Sequence, residues 1–132
     1  DERPAGYGLV CPPLPYRLDT DVAETGGINR WAQERMLLPQ LGVFVGQEKR
    51  VPYDLDEIMK AQAPKPLVLV TPKYDRFGPT PEMDQTVVSL KEPYAALNAA
   101  ENLVRVSPDM YNHFDVSMQR VLLDAMNAFR QK

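Results

Sequence analysis

The stretch Ala63-Pro64-Lys65-Pro66-Leu67-Val68-Leu69-Val70-Thr71 decides the fold class of this 132-residue chain. Pro64 and Pro66 close whatever precedes them, and the apolar run that follows is continuous rather than alternating. A strand that is apolar on both sides is covered on both sides, which points to a parallel sheet with helices on its two faces. Upstream, Asp54-Leu55-Asp56-Glu57 supplies a helix start, with Asp54 at the N-cap and Glu57 three residues on, and the helix is expected to run through Ile58 and Met59 to Ala63. Downstream, Thr80-Pro81-Glu82 starts a second helical region. Pro93 interrupts it, so two pieces are expected, Pro81 to Lys91 and Pro93 to Ala100.

Two more apolar runs, Tyr7 to Cys11 and Leu103 to Val106, read as further strands. From Met118 onward, Val121, Leu122, Ala125, Met126 and Phe129 form one stripe at helical spacing, so the C-terminal segment is an amphipathic helix packed on the sheet. Residues 20–51 hold Gly26-Gly27, Trp31 and the apolar patches around Leu37 and Phe44, and read as a mostly helical excursion between the first and second strands. The fold class is therefore α/β, with a mostly parallel sheet and right-handed crossovers. Three parallel strands leave both sheet edges open. Additional strands are expected from a partner or from another copy of the chain.

Composition narrows function. Apolar residues make up 44% and charged residues 25%, and 15 Lys+Arg against 18 Asp+Glu leave a formal charge of −3, which is an ordinary folded composition. No basic cluster offers an electrostatic footprint for nucleic acid or an anionic membrane. No segment is apolar and long enough to span a bilayer, and none has the form of a signal peptide, so a soluble chain is expected, with a cytoplasmic location favoured. The absence of an initiating Met before Asp1 suggests a processed chain or a piece of a longer one. One cysteine, Cys11, and one histidine, His113, are too few soft ligands for a structural zinc site, and no metal or cofactor is expected.

Two candidate residues lie just past strand C-terminal ends, where open α/β sheets gather their ligands and reactive groups. Asp75 sits in Lys73-Tyr74-Asp75-Arg76-Phe77-Gly78-Pro79, and His113 in Tyr111-Asn112-His113-Phe114. Each alone is compatible with a turn or a surface role. Together they can form a carboxylate–imidazole pair, with Asp75 holding one ring nitrogen and the other left as general base. That is two thirds of a nucleophile–His–Asp triad. Ser89, Ser107 and Ser117 are the only serines, and none stands in a G-x-S-x-G turn. Cys11-Pro12-Pro13 cannot open a helix as a nucleophile elbow does, and Cys11 reads as a small apolar strand-end residue. Trp31, Phe44, Phe77 and Tyr111 could line a substrate pocket, and are equally suited to a core.

These segments resemble the C-terminal half of α/β-hydrolase-fold serine esterases, and most closely the branch of acetyl-xylan esterases and dienelactone hydrolases. The run Ala63 to Val70 followed by Asp75 is similar to that family's A-P-x-P strand and acid loop, and Asn112-His113-Phe114 to its histidine motif. Asp1-Glu2-Arg3 resembles the turn after the nucleophile helix, and Thr25-Gly26-Gly27-Ile28-Asn29-Arg30-Trp31 the region after the next strand. The resemblance implies that residues 1–132 form one partial hydrolase domain, a three-layer sandwich incomplete on its own. It implies a catalytic Asp75 and His113, substrate contacts from Trp31, Phe77 and Tyr111, a small ester as substrate, and a serine nucleophile from an N-terminal portion outside this chain. The alternative is a non-catalytic α/β module that binds or scaffolds and retains a remnant hydrolase site.

Overall fold

The computed structural model describes residues 4–19, 22–34 and 36–130; the Asp1-Glu2-Arg3 turn singled out above lies outside them. Three strands, β1 (Tyr7–Val10), β2 (Leu67–Val70) and β3 (Leu103–Val106), form one sheet in the order β1-β2-β3. Both pairs are parallel, with Tyr7 opposite Leu67 and Leu67 opposite Leu103. The class is thus α/β with a small parallel sheet.

The unbroken apolar run of β2 explains why it lies in the middle. Leu67 and Leu69 face one side and join Met59, Val87, Leu90, Tyr94 and Ala99 in one core cluster. Val68 and Val70 face the other side and pack with Met118 and the stripe from Val121 to Phe129. All four β2 side chains are at most 1% exposed, and each contributes about 1.5–3 kcal/mol of burial. Helix α3 (Leu55–Lys60) and helix α4 (Thr80–Ala96) cover the first face, and helix α5 (Val116–Arg130) the second.

Local signals set the helix boundaries. Asp54 caps α3 through a complete capping box: its carboxylate accepts from Leu55 N at 2.7 Å, and its own N–H donates to Glu57 Oε2 at 3.0 Å. α5 starts at Val116, two residues before the apolar stripe, and Asp115 caps it by accepting from Met118 N at 2.9 Å. The break expected at Pro93 does not occur, and α4 runs through it as one helix. Pro93 has no N–H for the carbonyl four residues back, a cost of about 3 kcal/mol. Leu90 and Tyr94, on either side of it, are fully buried, and Tyr94 Oη donates to the Lys65 carbonyl at 2.9 Å. Burying those two side chains offsets the proline.

The segment between β1 and α3 consists of short turns: α1 (Val22–Thr25), α2 (Gly27–Asn29), a π-helical turn Arg30–Glu34 and 3-10 turns Pro39–Phe44 and Glu48–Arg50. It has its own small core of Tyr16, Ile28, Ala32, Leu41 and Val51, against which Trp31 and Phe44 are partly buried. The first strand stops one residue before the expected Cys11, whose φ of 50° turns the chain out of the sheet, and β2 stops one residue before the expected Thr71. Among the described residues β1 and β3 each pair on one side only.

Candidate active site

The loops that follow β2 and β3 continue side by side beyond the sheet. Lys73 N donates to the Pro108 carbonyl at 3.0 Å and Tyr74 N to that of Met110 at 3.2 Å, and a parallel bridge joins Tyr74 to Tyr111. The Tyr74 and Tyr111 rings pack at 5.3 Å between centroids. Lys73 Nζ meets Asp109 Oδ1 at 2.7 Å, and that hydrogen bond raises the lysine's pKa above its usual value. Parallel register therefore carries Asp75 and Asn112-His113 to the same end of the sheet.

Asp75 is buried there and well supplied with donors. Its Oδ1 accepts from Phe77 N at 2.9 Å, an Asx turn, and from Asn112 Nδ2 at 2.9 Å. The end of β1 brings the Cys11 thiol within reach of the charge of the same carboxylate. Burial pushes that thiol up to about 11, and the charge of Asp75 adds to the effect. At neutral pH it is a protonated donor rather than a nucleophile.

The position expected of His113 is thus taken by its neighbour. The carboxylate's side-chain partner from the β3 loop is the Asn112 amide, whereas His113 is solvent-exposed and makes a backbone bond, its N–H donating to the Tyr111 carbonyl at 2.8 Å. Both residues lie in the loop that meets Asp75, one position apart. Asn112, itself largely exposed, reaches the buried carboxylate through a part-buried hydrogen bond, and His113 stays in water one position on.

A cleft of about 70 Å³ opens beside this end of the sheet. The β1 exit from Cys11 to Tyr16 forms one wall, and Arg30, Trp31, Phe77 and Asn112 are among the residues that close it. Trp31 and Phe77 line the cleft. Tyr111 is not part of its lining; its ring is largely exposed and packs on Tyr74. Phe44 belongs to the small core of the helical excursion. The Arg30 guanidinium carbon sits 3.5 Å above the Phe77 ring centroid, and that of Arg76 lies 4.5 Å from the same centroid.

No described serine is poised as a nucleophile. Ser89 Oγ donates to the Thr86 carbonyl within α4, Ser107 Oγ shares a 2.9 Å bond with Thr71 Oγ1, and Ser117 is exposed on the first turn of α5. Among the described residues no group of three or more His, Cys, Asp or Glu side chains could hold a metal ion, and no helix is long and apolar enough to cross a membrane. The sequence missed the parts played by Asn112 and Cys11. Asn112 stood in the quoted motif, but the Asp75 contact depends on how two loops align, and the left-handed turn at Cys11 has no signature in Cys-Pro-Pro. Compared with models of protein families, with curated proteins and with solved structures, the chain matches none.

Proposed function

We propose that this chain supplies the acid and base of a serine ester hydrolase, as the C-terminal half of an α/β-hydrolase-type fold whose nucleophile comes from an N-terminal portion outside this chain. The observation that supports this reading best is the meeting of Asp75 with the Asn112-His113 loop at the C-terminal ends of adjacent parallel strands, beside a cleft. Asp75 is buried and oriented before any substrate arrives, as a triad acid must be. His113 is one residue from the amide that touches it, so packing of the nucleophile-bearing portion has only to swing an exposed ring onto the carboxylate. In the reaction the serine oxygen attacks the ester carbonyl and His113 takes its proton. The imidazolium, stabilised by Asp75, then returns that proton to the leaving alcohol, and water repeats the cycle on the acyl-enzyme.

The free edge of β1 gives the missing portion a place to dock. Tyr7 N and Cys11 N bond to Pro66 and Val70 of the neighbouring strand, and the two-residue period directs the Gly8 and Val10 amides to the open side. A strand added there would stand beside Cys11 and the cleft.

A fluorophosphonate probe tests the proposal. It should label the nucleophile-bearing portion when this chain is present, and labelling should vanish with His113→Ala. A second reading, a binding module with a remnant site, is favoured by the two donors, Phe77 N and Asn112 Nδ2, that Asp75 Oδ1 has without His113. It requires that no labelling occur in any assembly.

A further inference from the structure

We infer that the face presented by residues 36–53 docks on an anionic lipid surface, its apolar side chains entering the acyl boundary while Lys49 and Arg50 meet the headgroups. The inference does not depend on the hydrolase reading. Six large apolar side chains of this stretch stand in water: Met36, Leu37, Leu38, Val43, Val45 and Tyr53, with Val43 74% and Met36 72% exposed. They project from the turns Pro39–Phe44 and Glu48–Arg50 and from the residues beside them, and so many exposed apolar groups on one short segment mark an interaction surface. Met36 has a φ of 51°, a left-handed backbone that a non-glycine residue seldom adopts. A groove of about 530 Å³ lies among them, with Leu37, Leu41, Phe44 and Tyr53 in its walls.

Charge selects the occupant. The chain carries −3, yet the charged residues between 36 and 53 are Glu48, Lys49 and Arg50, a local balance of +1. Glu48 Oε1 accepts from Gly46 N at 2.8 Å, so its carboxylate is turned back onto its own loop. Lys49 and Arg50 are exposed, and among the described residues neither has a carboxylate partner; Arg50 Nη1 donates to Gln47 Oε1 at 2.6 Å. Protruding apolar side chains bordered by free cations suit the headgroup layer of an anionic bilayer. Two cations do not amount to the basic cluster that the sequence lacks. The apolar side chains supply the larger part of the binding, and their exposure is set by tertiary structure. A second copy fits less well, since a two-fold contact through this patch sets Lys49 and Arg50 of one copy against those of the other. A protein partner needs a matched pocket for each projecting side chain, whereas fluid lipid admits Val43 and Met36 wherever the turns hold them.

The chain is sedimented at low ionic strength with vesicles of phosphatidylcholine and phosphatidylserine at about 7:3 and, separately, with phosphatidylcholine alone. The mixed vesicles should bind it at least tenfold more tightly, and added salt should narrow the difference. Lys49→Gln with Arg50→Gln should remove the preference, and Val43→Asp should lower affinity for the mixed vesicles at least tenfold. All three positions are exposed, so these variants keep the fold, which a melting curve verifies. A polarity-sensitive dye attached under native conditions to Val43→Cys should shift to the blue on vesicle addition; the same dye on Val88→Cys, exposed on α4 and outside the patch, should not. No sedimentation, or equal binding to both vesicles, overturns the inference. Vesicle binding unchanged in Val43→Asp overturns it as well, because another face then makes the contact. A dimer seen by light scattering that Val43→Asp dissolves assigns the patch to a second copy instead.

Discussion

The backbone N–H of Tyr16 donates to Asp54 Oδ1 at 2.8 Å, joining positions 38 residues apart. The same carboxylate accepts from Arg17 N at 3.0 Å and from Leu55 N at 2.7 Å while it caps α3. Arg17 adds a bond from Nη2 to the Val51 carbonyl at 2.6 Å and an ion pair to Glu57. One buried side chain thereby fastens the wall of the cleft, which includes Tyr16, to the helix that supports β2.

Asp54→Ala should therefore cost more than an ordinary helix cap. Three backbone donors lose a charged acceptor, and about 3 kcal/mol of stability should disappear. Asp54→Asn keeps an oxygen at the cap and should lose distinctly less. Urea denaturation of the two variants against the parent measures the difference; equal losses would show that the oxygen kept at the cap adds nothing to the stability.

The apolar face under β1 gives a second stability prediction. A Cβ on Gly8 would stand 2.7 Å from Leu122 Cδ1 and 3.0 Å from Met126 Sδ. Both are far ends of flexible side chains, so Gly8→Ala can be accommodated by rotation of Leu122. Gly8→Val adds two further methyl groups and should destabilise by about 1–3 kcal/mol through overpacking. If Gly8→Val melts with the parent, α5 does not hold β1 as closely as these contacts require.

Cys11 offers a test in which the pH dependence has a definite sign. Its thiol is raised from 9.0 to about 11, mainly by burial, so folding favours the protonated form. The stabilisation is complete below pH 9 and is lost as the pH climbs through 11. At pH 8 the thiolate fraction is about 1 in 1,000 in the folded chain and about 1 in 10 in the unfolded one. Alkylation by iodoacetamide at pH 8 should be about 100-fold slower in the native protein than in urea. The reading is clean because the chain has no second cysteine. Comparable rates in the two states would mean that the Cys11 thiol is not shielded at the end of β1.

How far the sequence could be read follows from the range of each signal. The continuous run of β2 and the Asp54–Glu57 pair are local, and both act as local chemistry requires. Pro93 misleads because its penalty is local, whereas the burial of Leu90 and Tyr94 that overrides it is tertiary. The candidate site divides in the same way. The loops that hold Asp75 and His113 could be placed from strand ends alone. The side chain that reaches the carboxylate could not, since a one-residue difference in loop alignment exchanges His113 for Asn112.

That exchange gives the sharpest test of the proposed chemistry. In the assembled enzyme, His113→Ala removes the proton carrier and should lower kcat for an activated ester on the order of 10³-fold or more. Asp75→Asn keeps the shape but no longer stabilises the imidazolium, and should also act on kcat. Asn112 acts through the carboxylate it holds, so it is a positioning residue: Asn112→Ala should lower kcat about 10-fold with KM little changed, and Asn112→Asp, which sets a second charge against Asp75, should lower it further. Melting curves separate these losses from unfolding. A folded His113→Ala that retains parental esterase activity would remove this chain from the reaction. A folded Asn112→Ala at parental kcat, beside an inactive His113→Ala, would show that the working site has exchanged the amide for the imidazole at Asp75.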